Sequence, residues 1–240
     1  MDHFSSNLLA EIRDKFAFVE DCPFVGKRIF FENAGGALTL KSVVETSSKF
    51  AAIPDNQGRA NTASKALMEI IQEAKKDAAN LFGATTGQFF VGESGTELLF
   101  RLVRNAAPSA KAGGNIVGSS FEHPATRSAA KYWAAQTGRQ YINVQHENNN
   151  GNVTAQLYSE VVNRDTRLVT ILHASPVTGI SVDLRAISKA VHSIAPEALI
   201  IVDGVQYAAH GGIKINHYKI DGYAISPYKM YSRHGYGFAW

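Results

Sequence analysis

The chain has 240 residues and a mass of 26.0 kDa, with 45% hydrophobic and 19% charged residues. That composition excludes a mainly disordered protein, and the length suffices for a sizeable buried core. A net charge of +3, carried by basic residues that nowhere form a run, gives no footprint for nucleic acid.

The first predicted element is a helix from Asn61 to Phe82, where Leu67, Ile70, Ile71, Ala74, Ala78, Leu81 and Phe82 recur at three- and four-residue steps and Gly83 supplies the stop. A strand over Gln88–Val91 follows, then a helix from about Gly95 to Asn105, stopped by Pro108. Asn115–Ser119 reads as a strand, the segment after His123 as a helix ending near Gly138, and Gln140–Val144 as a strand. Three asparagines and a glycine in Glu147–Gly151 predict a loop. Leu168–His173 and Ala198–Asp203 read as strands, the first apolar from Leu168 to Leu172 except at Thr170 and the second apolar throughout Ala198–Val202, as in strands buried on both faces. Between them a helix starts at the N-cap Asp183 and ends before Pro196. Gly222–Ser226 and Tyr236–Trp240 complete seven strand candidates. Strands alternating with helices predict an α/β fold, a mostly parallel seven-stranded sheet flanked by helices, with its site at the carboxyl ends of the strands.

No apolar stretch exceeds about six residues, against ~20 for a membrane span. The start, Met1-Asp2-His3-Phe4-Ser5, lacks the basic and apolar regions of a signal peptide. A single cysteine, Cys22, excludes an internal disulfide framework and a cysteine-based zinc site. These features predict a cytoplasmic protein without membrane or nucleic-acid partners. Neither a dinucleotide fingerprint nor a Walker loop is present, and Gly92-Glu93-Ser94-Gly95 is one residue short of a nucleophile elbow. Asn152-Val153-Thr154 matches a glycosylation triplet without a secretion signal to give it meaning.

The informative pair is Asp203 and Lys229, each read as ending a buried strand. Either charge buried alone would cost several kcal/mol, so each needs a partner. Two readings fit: a structural ion pair, or two functional groups over one cleft.

Five blocks carry a resemblance. Phe31-Glu32-Asn33-Ala34-Gly35-Gly36, Glu93-Ser94-Gly95-Thr96-Glu97, Glu122-His123, Val202-Asp203-Gly204-Val205-Gln206 and Ser226-Pro227-Tyr228-Lys229-Met230-Tyr231 occur in this order. Together they resemble the class V aminotransferase family of pyridoxal-phosphate enzymes, which includes the cysteine desulfurases. The resemblance implies pyridoxal 5'-phosphate as cofactor, with Lys229 forming the Schiff base. As a free amine, Lys229 needs a pKa below the ordinary value of about 10.4. It also implies proton transfer at the substrate α-carbon by Lys229, and Asp203 holding the pyridine nitrogen protonated. Gln206 would donate to the phenolic oxygen, and His123 would stack over the ring, the alternative being a satisfied helix-start histidine. Gly95, Thr96, Ser226 and Tyr228 would contact the phosphate. His173 reads as a core or supporting residue, and Arg59 as either near the site or a solvated surface arginine.

Two departures stand out. Tyr228 replaces the usual histidine before the lysine, and its hydroxyl can still donate. Pro176 stands where many relatives have an asparagine and offers no donor, which leaves Gln206, alone or with Ser175, to bond the phenolic oxygen.

The resemblance further implies an amino-acid substrate and a homodimer. It also implies an N-terminal segment over residues 1–38 and an incomplete cofactor-binding large domain over 39–240. The family's reactions span transamination, desulfuration, epimerisation and side-chain lyase chemistry. The nucleophilic cysteine of desulfurases, and the arginine that usually clamps the substrate carboxylate, lie further downstream in relatives, and Cys22 matches the former poorly. The chain stops at Phe238-Ala239-Trp240, within an apolar run. In the resembled fold that strand is antiparallel and lies inside the sheet, and a smaller C-terminal domain follows. The expectation is thus a chain cut short, with exposed apolar surface and marginal stability. Three functions remain: an active pyridoxal-phosphate enzyme, a cofactor-binding but catalytically incomplete fragment, and a nucleotide-binding α/β domain.

Overall fold

The computed structural model describes residues 5–54 and 57–240. The start Met1–Phe4, read above for a signal peptide, lies outside the described residues. The contacts divide the chain into two units. One extends to Lys76 and takes in Pro227–His234; the other comprises Asp77–Ser226 and Gly235–Trp240.

In the first unit, α1 (Ser6–Asp14) is capped by Ser5, whose hydroxyl accepts from the Leu8 N–H at 3.2 Å. A two-residue hairpin, β1 (Asp21–Cys22) and β2 (Gly26–Lys27), follows, then α2 (Lys41–Ala51). The helix α3 (Thr62–Phe82) runs from this unit into the second. The apolar stripe expected along α3 is packed mainly at its C-terminal end: Ala78 and Phe82 are buried, whereas Ile70 and Leu81 are exposed. Apolar side chains open to solvent are numerous here, with Phe24 and Phe31 more than nine-tenths exposed.

The second unit holds the sheet. Gly83 ends α3 at φ 56°, a left-handed conformation that suits glycine. Then come β3 (Phe90–Gly92), α4 (Gly95–Ser109), β4 (Asn115–Ser119), α5 (Pro124–Gln136), β5 (Gln140–Val144), α6 (Ala155–Val161) and β6 (Thr166–Leu172). The remainder is α7 (Leu184–Ile194), β7 (Leu199–Asp203), β8 (Gly222–Ile225) and β9 (Gly237–Ala239). The sheet order is β3-β9-β8-β7-β6-β4-β5. Pairing is parallel from β8 across to β5, and β9 is antiparallel to both β3 and β8. The last strand is therefore an inner one, as expected. Beyond it, Trp240 is anchored by its indole N–H donating to the Thr86 carbonyl at 2.8 Å.

The expected stop of α4 before Pro108 does not occur; the helix continues to Ser109. Proline there lies in the final turn, where few bonds remain to be lost, and the Ala110 N–H still donates to the Ala106 carbonyl. The core packs Leu98, Leu99 and Val103 of α4 and Ala129, Ala130 and Ala134 of α5 onto Ile116, Leu168, Ile201, Ala224 and Ala239 of the sheet. Each large side chain so buried contributes roughly 1.5–3 kcal/mol. Phe82, fully buried, meets Phe89, Tyr223 and Phe238 edge-on at centroid distances of 5.3–5.9 Å. Thr154, read above within a glycosylation triplet, is the N-cap of α6. No helix among the described residues is long and apolar enough to cross a membrane, and no group of metal-ligating side chains is present among them.

Candidate functional site

Parallel strands β4, β6, β7 and β8 bring their carboxyl ends to one edge of the sheet. At the end of β7 stands Asp203, 2% exposed. Its Oδ2 accepts from the Thr126 hydroxyl at 2.8 Å and its Oδ1 from the Val205 N–H at 3.1 Å. Thr126 is buried in the first turn of α5, so the aspartate is tied to the helix that His123 begins. His123 is the N-cap: its Nδ1 accepts from the Ala125 N–H at 3.2 Å, and the exposed ring keeps its proton on Nε2. Pro124 suits the first helical position, where no N–H is needed. Gln206, buried, caps the short helical turn Tyr207–Ala209.

Next to this lies a close backbone approach. Ser94 caps α4 by accepting the Glu97 N–H at 3.1 Å, and its carbonyl takes the Leu98 N–H. The N–H groups of Gly95 and Thr96 have no acceptor among the described residues and point from the positive end of a fifteen-residue helix. A Cβ on Gly95 would run into Ser226 Oγ and the Val205 side chain. The structure thus brings Gly95, Val205 and Ser226 together. Gly95→Ala is expected to push Ser226 and Val205 aside and to lower the melting temperature, which a thermal melt checks.

Two further ionisable groups are buried at this edge. Glu122 is 2% exposed; its Oε1 accepts from the Thr170 hydroxyl at 2.7 Å and its Oε2 has no partner. Burial, reinforced by the Asp203 charge, pushes the carboxyl from 4.5 up to about 8, so it is protonated at neutral pH. Its contribution to stability is present below the ordinary carboxylate range and is lost as pH rises toward about 8. Glu122→Gln, which cannot ionise, is therefore expected to flatten the fall in melting temperature between pH 4.5 and about 8. An unchanged pH profile would contradict the assignment.

His173 is likewise 2% exposed, with Nδ1 2.8 Å from the Tyr223 hydroxyl and its ring stacked on Tyr207 at a centroid distance of 3.5 Å. Burial lowers it to about 4, and it stays neutral. This agrees with the supporting role read for it.

Lys229 and Tyr228 belong to the other unit. Lys229 does not end β8, as the sequence reading had it; it lies four residues past that strand, half-buried, on the helical turn Pro227–Lys229. Proline at the turn's start blocks continuation of the ladder. Its Nζ lies 5.9 Å from the centre of the Tyr228 ring. The Tyr228 carbonyl accepts from the Ala37 N–H and the Tyr231 carbonyl from the Leu40 N–H, both at 3.1 Å. Tyr228 stacks on His234, and Gly36 approaches its ring so closely that a Cβ would lie 3.2 Å away. The first and last motif blocks, nearly two hundred residues apart in sequence, thus meet in this unit. Arg59 is exposed, and its backbone N–H donates to the Ser64 hydroxyl at 2.8 Å.

Sequence reasoning missed Thr126 as a partner of Asp203. The signal was present: Thr126 follows His123 by three residues, the spacing that shares a helix face. Glu122 was seen as part of a motif but not as a buried acid, because burial has no local signature.

The family described as "Aminotransferase class-V" matches residues 29–240. Aminotransferase-like protein FGM3 of Gibberella zeae is 29% identical, over 96% of this chain and 57% of its own length. Cysteine desulfurase CsdA of Escherichia coli is 28% identical, over 95% of this chain and 56% of its own. The crystal structure of CsdA superposes with a TM-score of 0.79 at 24% identity, over 96% of this chain and 57% of that one. The apo cysteine desulfurase of Thermococcus onnurineus gives 0.80 at 21% identity, over 88% and 53%. The chain spans little more than half the length of the relatives it matches, and over that span it has their sheet of seven mostly parallel strands. With a family match over most of its residues and a shared fold, the chain belongs to the class V aminotransferases.

Proposed function

We propose that this protein is a pyridoxal 5'-phosphate-dependent enzyme acting on an amino acid. The observation that carries the reading is the buried carboxylate of Asp203 at the end of β7, with Ser226 one strand over against the Gly95 cradle. These residues fit the cofactor: free N–H groups and a hydroxyl suit a phosphate, and a buried carboxylate suits a protonated ring nitrogen.

Gly95, Thr96 and Ser226 would hold the phosphate, with Tyr228 as a further donor. The cofactor, when bound, supplies an aldehyde that condenses with amines and a ring that accepts electrons from the substrate α-carbon. Asp203 would hold a proton on the ring nitrogen, and Thr126 and Val205 orient its carboxylate. Gln206 and Ser175 are the donors left for the phenolic oxygen. The exposed His123 ring offers a flat face for stacking and an Nε2 proton for transfer. By the family likeness, Lys229 would hold the cofactor through Nζ and would move the proton at the substrate α-carbon.

The family likeness also supports a homodimer. The family covers several reaction types, and the chain's single cysteine, Cys22 in β1, precedes every motif block. Titration of the colourless protein with pyridoxal phosphate tests the reading. A saturable visible absorbance band is the expected result; a protein that folds cooperatively and stays colourless would sink it.

A further inference from the structure

Beside His123, within the second unit, lies a cleft of about 330 Å³. That falls within the range of roughly 300–1,000 Å³ for small-molecule sites. Its walls come from the segments after β4, β5 and β6, and they include Ser120, Glu122, His123, Arg127, His146 and Ser175.

The charge of this cleft is unbalanced. Arg127 is in no ion pair among the described residues. Its Nη2 donates to the backbone carbonyls of Ser120, at 3.3 Å, and Glu122, at 2.7 Å, which hold the side chain in place without neutralising it. Its Nη1 has no acceptor among the described residues. Glu122, the one carboxyl in the lining, is bonded to Thr170 and kept protonated by burial.

The other polar groups can donate. Ser120 Oγ accepts the His146 backbone N–H at 3.0 Å and lies 2.8 Å from His146 Nδ1, a pair whose donor is set by the imidazole tautomer. In the tautomer in which Ser120 donates, His146 Nε2 carries the ring proton. Ser175 Oγ already accepts from the N–H groups of Val177 and Thr178, both at 3.2 Å, which leaves its O–H to donate.

We propose that this cleft docks a carboxylate of the amino-acid substrate, with Arg127 as the cationic ligand and His146 as a second donor. The proposal rests on the function proposed above and adds a carboxylate ligand within this chain, separate from the downstream arginine that the resemblance implies. An uncompensated guanidinium with neutral donors around it selects an anion, and a charge-assisted contact of this kind is among the stronger polar ones. The carboxylate could be the α-carboxylate or that of an acidic side chain.

The test uses the full chain and two ligands without an amine, propionate and succinate, titrated calorimetrically into wild type, Arg127→Gln and His146→Ala. Gln retains a donor for the loop carbonyls but lacks the charge. The expected result is binding by wild type, with a dissociation constant raised about tenfold or more in Arg127→Gln at an unchanged melting temperature. If that variant is destabilised, a weakened affinity in a normally melting His146→Ala carries the proposal instead. No binding by wild type, or wild-type affinity in both folded variants, would overturn it. Michaelis constants separate the two sources. A rise for L-aspartate alone indicates a side-chain carboxylate, and a rise for L-aspartate and L-alanine together indicates the α-carboxylate. Visible absorbance is read separately: a protein that takes up no cofactor yet binds succinate through Arg127 contradicts the proposed function and not the anion cleft.

Discussion

Lys229→Ala is expected to lose the visible absorbance that pyridoxal phosphate gives to wild type, and with it turnover of any amino acid. Proton transfer by a positioned side chain alone accounts for roughly 10²–10⁴-fold in rate, and Lys229 is proposed also to anchor the cofactor. Lys229 is half-buried on the turn Pro227–Lys229, so loss of chemistry has to be read beside the folding of the variant. Stopped-assay turnover and a thermal melt, run on the same preparation, check both halves. A coloured variant with wild-type turnover would remove Lys229 from the chemistry.

Asp203→Asn has the second largest expected effect. The substitution is nearly isosteric. An amide oxygen can still accept from the Val205 N–H, and the Thr126 hydroxyl can reorient, so stability should change little. The negative charge is lost, and with it the hold on a protonated ring nitrogen. The expected fall in turnover is about 10²–10³-fold, the size seen for loss of one preorganised electrostatic contact. Cofactor binding should weaken much less, since the phosphate cradle at Gly95, Thr96 and Ser226 is untouched. Kinetics and cofactor titration together distinguish this from general damage, which would weaken both.

The sheet was legible in the sequence where burial is symmetric. Leu199–Val202 is apolar at every position and Leu168–Leu172 at every position but Thr170, and they form the paired central strands β7 and β6. Caps with a side-chain signal were also legible, as at Asp183, which accepts the Ala186 N–H at 2.9 Å. α2 was not, because Lys41-Ser42-Val43-Val44-Glu45-Thr46-Ser47-Ser48-Lys49 is polar and β-branched, and the helix it forms has no buried residue. Pro108 misled for a local reason: a proline in the last turn costs a helix much less than one in its middle. The stripe on α3 misled in the opposite sense, since periodicity shows which face is apolar and not whether anything covers it.

The proposed site residues show the same division. Their motif blocks are contiguous in sequence, whereas the partners that orient them come from other elements. Thr126 reaches Asp203 across 77 positions of sequence, and Thr170 reaches Glu122 across 48. Nothing in the local sequence encodes those meetings; they follow from α5 packing on β4 and from β4 pairing with β6.

If Lys229 carries the cofactor, borohydride reduction of the protein loaded with pyridoxal phosphate traps it there. Peptide mass mapping should then find one stoichiometric pyridoxyl adduct, on the peptide containing Lys229. An unmodified Lys229, or label spread over the surface lysines, would contradict it.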